Sequence, residues 1–225
     1  MTKQELIGAI LEKEWKMFHT VNGEDRVDCQ DDRGTFEIMR RAQYEAWDEA
    51  TVTSFYGDIC AAEAEGRNLS REKYIRMMES TDPAGYAAFK AELPPVSEKK
   101  AALAAELWQK YLAQTLEMRK LYPFLAVGGR PTTAEDEDSW ASVETYQTSE
   151  NLTYSEATLE ALLAHCNALE ARGVSLVSEI QLNTVRGLGY ATLQEAEDAM
   201  TRQLIQISDE PCCPCCGGMD DDYGY

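Results

Sequence analysis

Cys212, Cys213, Cys215 and Cys216 place four of the chain's seven cysteines within five positions, broken only by Pro214. Deprotonated, these thiols are soft ligands for zinc, copper(I) or an iron–sulfur cluster, and they can also exchange disulfides. A single tetrahedral ion usually takes its four thiolates from two separated pairs on a folded loop. Here adjacent side chains point apart and the proline stiffens the centre. Two or three ligands per chain are therefore expected, with the remainder supplied by a small cluster, a second chain or a metal-receiving client protein. Asp220, Asp221 and Asp222 follow; such a charge run is more often a solubilising terminus than a hard-cation site.

A second set of residues combines polar chemistry with positions that helical spacing assigns to the interior. Glu14 falls at the centre of a stripe formed by Ile7, Ile10, Leu11 and Phe18, and Arg40 and Gln43 fall between Phe36, Met39 and Trp47. A lone carboxylate in apolar surroundings is costly. If the two helices pack face to face, Glu14 and Arg40 are expected to pair, with Gln43 completing the hydrogen bonds. The pair is either a structural ion pair that fixes helix register or part of a polar pocket for a small ligand. Cys29 and Asp32 stand at the break before the second helix, where the positive helix end favours a thiolate. Arg130, Glu144 and Tyr146 belong to a long connection expected to lie across the helices and border the pocket. The candidate ligand-binding set is thus Glu14, Cys29, Asp32, Arg40, Gln43, Arg130, Glu144 and Tyr146.

A nucleophilic Cys29 would need a base, and the two histidines are poorly suited. His19 lies off the apolar stripe, and His165 is beside Cys166, where sequence neighbours on a helix face apart. The chain has no Glu-x-x-His pair, His-Glu-x-x-His, Gly-x-Ser-x-Gly or phosphate-cradling glycine loop.

The elements that must position these groups read as helices. With 225 residues, 44% hydrophobic and 27% charged, the chain can bury one sizeable core, which excludes overall disorder. The net charge of −19 opposes phosphate backbones and anionic lipid, so nucleic-acid and membrane partners are not expected. Charged residues between Lys3 and Glu14 exclude a secretory leader, and no segment is long and apolar enough for a membrane span. A cytoplasmic location with reduced thiols follows, and the odd cysteine count also argues against a closed disulfide framework.

The spacing predicts a helix from Lys3 to His19, then a long one from about Thr35 into Glu65, closed by Gly66 and with Phe36, Met39, Trp47 and Ala50 facing inward. Ser70 is expected to cap a helix through Met78. Asp82-Pro83 should start a short helix to Ala91, and Ser97 a long one to Leu121. From Pro123 to Leu152 the periodicity fades into an irregular loop containing the acidic run Glu135 to Asp138, with at most a turn near Val143. Thr153 with Glu156, and Thr192 with Glu195, have capping-box spacing for helices ending near Arg172 and Ile207. Ser175 to Arg186 reads as one further helix.

Several segments also resemble an uncharacterised bacterial family common in Firmicutes. They include Glu14-Trp15 with Phe18, Cys29 to Asp32 through Phe36, Met39, Arg40 and Gln43, and Gly66 to Leu69. Further on come Glu72 to Tyr74, Met77 to Thr81, Glu144 to Tyr146, and Leu152 to Ser155. Where relatives carry an Arg-Gly-Glu-Leu-like run, this chain reads Thr148, Ser149, Glu150, Asn151. The resemblance implies a small, mostly helical cytoplasmic protein and brings no activity.

The expected architecture is all-α: a single-domain multi-helix bundle over residues 1–208, with an irregular loop at about 123–152. A disordered, cysteine-rich acidic tail follows over 209–225. The expected role is an accessory protein whose thiol arm binds or transfers a soft metal. The alternatives are a small-molecule-binding domain or enzyme with a pocket around Glu14, Cys29, Arg40, Gln43 and Glu144, and an interaction module without chemistry of its own.

Overall fold

A computed structural model describes residues 1–21, 31–127, 129–133 and 141–209. The expectations for Cys29, the acidic run at 135–138 and the four tail cysteines lie outside the described residues. Among the described residues there are ten α-helices and no strand. α1 (Lys3–His19) starts at a capping box in which Thr2 accepts from the Glu5 amide at 3.3 Å and Glu5 accepts from the Thr2 amide at 2.7 Å. Its core face is Leu6, Ile7, Ile10, Leu11 and Met17.

The long helix expected from Thr35 to Glu65 is two helices, α2 (Arg33–Ala46) and α3 (Glu49–Ala64). Asp48 ends the continuity by acting as a cap: its carboxylate accepts from the Thr51 amide at 2.9 Å and the Thr51 hydroxyl at 2.6 Å. Trp47 turns extended at this point and buries its ring edge-on against Tyr44, Phe55 and Tyr154. The carbonyls released by the break find new donors. Lys3 Nζ reaches those of Glu45 and Trp47, and the His165 ring nitrogen Nε2 lies 2.9 Å from that of Ala46. The break also resets the helical phase of the residues that follow it, whereas Met39 precedes it on the outer face of α2. Met39 is half exposed and Ala50 exposed, contrary to expectation, while Val52, Phe55, Ile59 and Ala62 carry the core face of α3.

Gly66 stops α3 in the left-handed region at φ 71°. α4 (Leu69–Thr81) is capped by Asn68 rather than Ser70, because the Asn68 side chain accepts from the Arg71 amide at 3.0 Å while donating to the Met17 carbonyl at 2.8 Å. α5 (Pro83–Phe89) begins at Asp82 as expected and runs into a 3₁₀ turn, Lys90–Glu92. α6 (Glu98–Leu121), capped by Ser97, is the longest of the described helices.

The irregular loop expected over 123–152 ends in a helix, α7 (Val143–Asn151), capped by Ser142. α8 (Glu156–Glu170) is capped by Ser155, not Thr153, whose hydroxyl instead donates to the Glu150 carbonyl at 2.7 Å. α9 (Leu176–Gly187) and α10 (Leu193–Asp209) complete the chain of helices. α1, α3, α6, α8 and α9 enclose one core, with Leu107, Leu159, Leu162 and Leu176 fully buried. The carboxylate of Glu197, itself buried, accepts from the amides of Phe124 and Leu125 at 2.9 and 2.8 Å and ties α10 to the end of α6.

α2 packs along α9 so closely that a Cβ at Gly187 would lie 2.7 Å from Ile38 Cγ2. Ile38 is β-branched and held in one helical rotamer, so it cannot step aside cheaply. Gly187→Ala should therefore destabilise the fold by about 1–3 kcal/mol through overpacking. That exceeds the roughly 1 kcal/mol gained from alanine's helix propensity. Urea denaturation reads the difference; unchanged or increased stability would show that α2 yields.

Candidate functional site

Arg40 is where three helices converge. Its Nε and Nη2 donate to the two carboxylate oxygens of Glu14 on α1, at 3.1 and 2.6 Å. Nη1 donates to Glu150 on α7 at 2.7 Å and to Gln43 at 3.0 Å, and Nη2 also donates to the Tyr44 hydroxyl. All five guanidinium N–H groups therefore have acceptors, the condition under which an arginine tolerates burial. Glu150, 5% exposed, also accepts from the Tyr154 hydroxyl at 2.7 Å and faces Lys73 Nζ of α4 at 3.4 Å. Lys73 donates to the Tyr146 hydroxyl at 2.8 Å and lies 4.2 Å from the centre of that ring. Two cations and two carboxylates close a neutral network across α1, α2, α4, α7 and the start of α8.

Burial alone would raise the Glu150 carboxyl. Arg40, then Lys73, and the hydrogen bonds from Tyr154 and Arg40 outweigh it and hold the group well below the usual carboxylate range. Burial likewise opposes charge on Lys73, but Tyr146 and Glu150 outweigh it and raise its pKa. The phenol of Tyr154 is pushed up, first by burial and then by Glu150, which keeps it a donor. A cavity beside Glu14, Arg40, Lys73 and Glu150 gives about 20 Å³ to the centres of water-sized molecules, enough for a single water.

A wider recess lies along the same α4–α7 seam. It offers about 230 Å³ on the same measure, between Arg76, Glu79 and Ser80 of α4 and Thr145, Thr148, Ser149 and Leu152 of α7 and its end. Thr148 Oγ1 donates to the Glu144 carbonyl at 2.6 Å and Ser80 Oγ to that of Met77 at 3.3 Å. Arg76 differs from Arg40. Its Nη2 donates to the Pro94 carbonyl at 3.1 Å, while its Nε is enclosed with no acceptor among the described residues. An enclosed N–H left in that state costs about 1–3 kcal/mol. Burial pushes the Arg76 guanidinium down despite the attraction of Glu72. Lys100, 3.5 Å from the Leu152 carbonyl, is lowered as well, first by burial and then by Arg76.

Of the residues singled out from sequence, Glu14, Arg40 and Gln43 come together with the expected ion pair in place. Tyr146 joins them through Lys73, and Arg130 joins the edge, its guanidinium 5.2 Å from the Tyr146 ring and its Nη1 donating to the Ala141 carbonyl at 2.8 Å. Glu144, on the first turn of α7, contributes its backbone to Thr132 and Thr148. Asp32 stands apart as the exposed cap of α2, accepting from the Thr35 amide at 2.9 Å, and this bond holds its carboxyl down. Among the described residues no group of three or more His, Cys, Asp and Glu is placed to hold a metal ion, and no helix is long and apolar enough to cross a membrane.

Sequence reasoning missed Lys73, Glu150, Tyr44 and Tyr154. Lys73 carried a usable signal, because it falls between Leu69 and Met77 at spacings of four, as Glu14 does among its own apolar neighbours. Glu150 carried none, since the buried residues of α7 are Ser149, Glu150 and Asn151.

Glu150→Gln leaves Arg40 and Lys73 one carboxylate short and should cost about 3–5 kcal/mol at neutral pH. Because the folded carboxyl titrates below its unfolded value of roughly 4.3, its contribution is complete above that pH and is lost on acidification. The stability gap between wild type and Glu150→Gln, followed by denaturant unfolding from pH 7 downward, should narrow below about pH 4.3. A gap independent of pH would show that the ionised carboxylate is not what the network uses.

Residues 4–198 match the model of a family described as "Protein of unknown function (DUF4125)". Nothing among curated proteins and nothing among solved structures matches. The matched span contains every member of the Arg40 network and both walls of the α4–α7 recess, and it stops short of Cys212. The chain belongs to the DUF4125 family, an uncharacterised domain family.

Proposed function

We propose that the helical body is a binding domain for a small polar molecule, which enters the recess between α4 and α7. The observation that carries this reading is the recess itself: about 230 Å³ lined by the hydroxyl-bearing residues Ser80, Thr145, Thr148 and Ser149, with Arg76 and Glu79 also in the wall. Its size suits a metabolite smaller than the drug-like ligands that occupy roughly 300–1,000 Å³. One turn along the seam, Lys73, Glu150 and Arg40 fix the spacing of the two helices, so the recess is preorganised. In this reading Glu14, Arg40, Gln43 and Tyr146 position the walls, and the ligand touches the next layer. A library of small polar fragments, screened by amide chemical shifts, should give responses centred on Arg76, Ser80, Thr148 and Ser149. Thr148→Phe should abolish them while circular dichroism stays unchanged. Validated binders that map instead to Phe18 or α10, or that survive Thr148→Phe, would overturn the assignment.

A second reading concerns the tail and rests on the spacing of Cys212, Cys213, Cys215 and Cys216. It makes the chain a bacterial, cytoplasmic accessory protein whose arm carries zinc, copper(I) or an iron–sulfur cluster to a client, since such thiols stay available only where they are kept reduced. Truncation after Asp209 should remove bound metal, measured by elemental analysis of anaerobically purified protein, and leave the melting temperature nearly unchanged. Metal retained by the truncated chain would end this reading.

A further inference from the structure

Arg76 is the charged residue of the α4–α7 recess whose hydrogen-bonding capacity is only partly used among the described residues. It presents five N–H donors, and the only one engaged among the described residues goes from Nη2 to the Pro94 carbonyl. The contrast with Arg40, buried and with an acceptor for every N–H, is one of environment. Arg40 meets Glu14 and Glu150, whereas no carboxylate lies within ion-pair distance of Arg76 among the described residues. Nearby Arg67 does not help, since it already spends its fork on Glu72 at 2.7 and 2.9 Å. Glu72 therefore acts on Arg76 only at a distance, as does Glu79, and gives it no direct hydrogen bond.

The recess wall facing Arg76 is built from groups that complement an anion's oxygens. The Ser149 hydroxyl has no hydrogen-bond partner among the described residues, and those of Thr148 and Ser80 rest on carbonyls of their own helices, from which they can rotate. Lys100 adds a second half-buried cation behind Leu152, at 3.5 Å from its carbonyl. Arg71, Arg33 and Lys110 each pair with a carboxylate, whereas Arg76 and Lys100 contact only carbonyl oxygens directly and are partly buried.

Resting on the reading of the α4–α7 recess as a ligand site, we propose that its ligand carries an oxyanion, a carboxylate or a phosphate, held by the free N–H groups of Arg76 and by the hydroxyls of Ser149 and Thr148. An arginine fork matches the spacing of two oxygens on either group, which a lysine would not do. The rest of the ligand is small and polar, in keeping with the hydroxyl-lined remainder and with Glu79 at the rim.

The test uses the full chain and three probes at matched ionic strength: inorganic phosphate, succinate, and uncharged glycerol. Calorimetric titration and melting temperature are the readouts. At least one of phosphate and succinate should bind and raise the melting temperature while glycerol does neither, and the better of the two identifies the source of the oxyanion. Arg76→Gln should weaken that binding on the order of tenfold to a hundredfold, as loss of a charged hydrogen-bond donor does. Arg71→Gln, a surface change at the Glu92 pair, should leave it unchanged. Ser149→Ala provides a milder variant should Arg76→Gln fold poorly, and it should weaken binding severalfold with the fold intact. Binding of neither anion, or equal binding by Arg76→Gln and Ser149→Ala, would overturn the proposal. Fragments that occupy the recess without regard to Arg76 would overturn the oxyanion assignment alone and leave the recess as the ligand site.

Discussion

The requirement that a buried guanidinium find five acceptors organises this molecule. Arg40 meets it only if α1 supplies Glu14, α7 supplies Glu150, and α2 supplies Gln43 and Tyr44 from its next turn. A partial solution would strand charge in a low-dielectric interior, so the helices have little freedom to slide against one another without losing the arrangement altogether. Apolar packing of Ile7, Phe55, Leu107 and Leu162 supplies the bulk of the driving force. The ionic network supplies the uniqueness of the alignment, and with it the geometry of the recess one layer along the seam.

Much of the helical architecture is legible in the chain because caps and apolar stripes are local. Thr2 with Glu5, Asp82 before Pro83, Ser97 and Gly66 act as their types suggest. The break between α2 and α3 was less readable, because Trp47-Asp48 sits inside a continuous run of helix-compatible residues. Its cost is met by Lys3 and His165, which are distant in sequence. Ser70 and Thr153 failed as caps for a related reason: Asn68 and Ser155 stood two residues away and had better partners.

The candidate site divides in the same manner. Glu14, Arg40 and Gln43 could be found because a polar residue inside an apolar stripe is conspicuous. Lys73 obeyed the same rule, whereas α7 could not be found, because the face it buries is polar and hydrophobic periodicity has nothing to register. The recess is subtler still. Its hydroxyl-bearing residues and Arg76 look like ordinary surface residues until α4 and α7 are brought together.

The polar underside of α7 also has a bearing on the order of assembly. A helix of nine residues is marginal in isolation, and the buried residues of this one are Ser149, Glu150 and Asn151, with only Val143 at its start packing an aliphatic side chain against the core. Its anchoring partners, Arg40 and Lys73, lie 110 and 77 positions away in the chain. Contacts so distant in sequence carry a large loop-closure cost, which favours an order in which the aliphatic helices collapse first and α7 closes onto the charged socket afterwards. Amide exchange within α7 accordingly reports on the occupancy of that socket more directly than on the stability of the surrounding bundle.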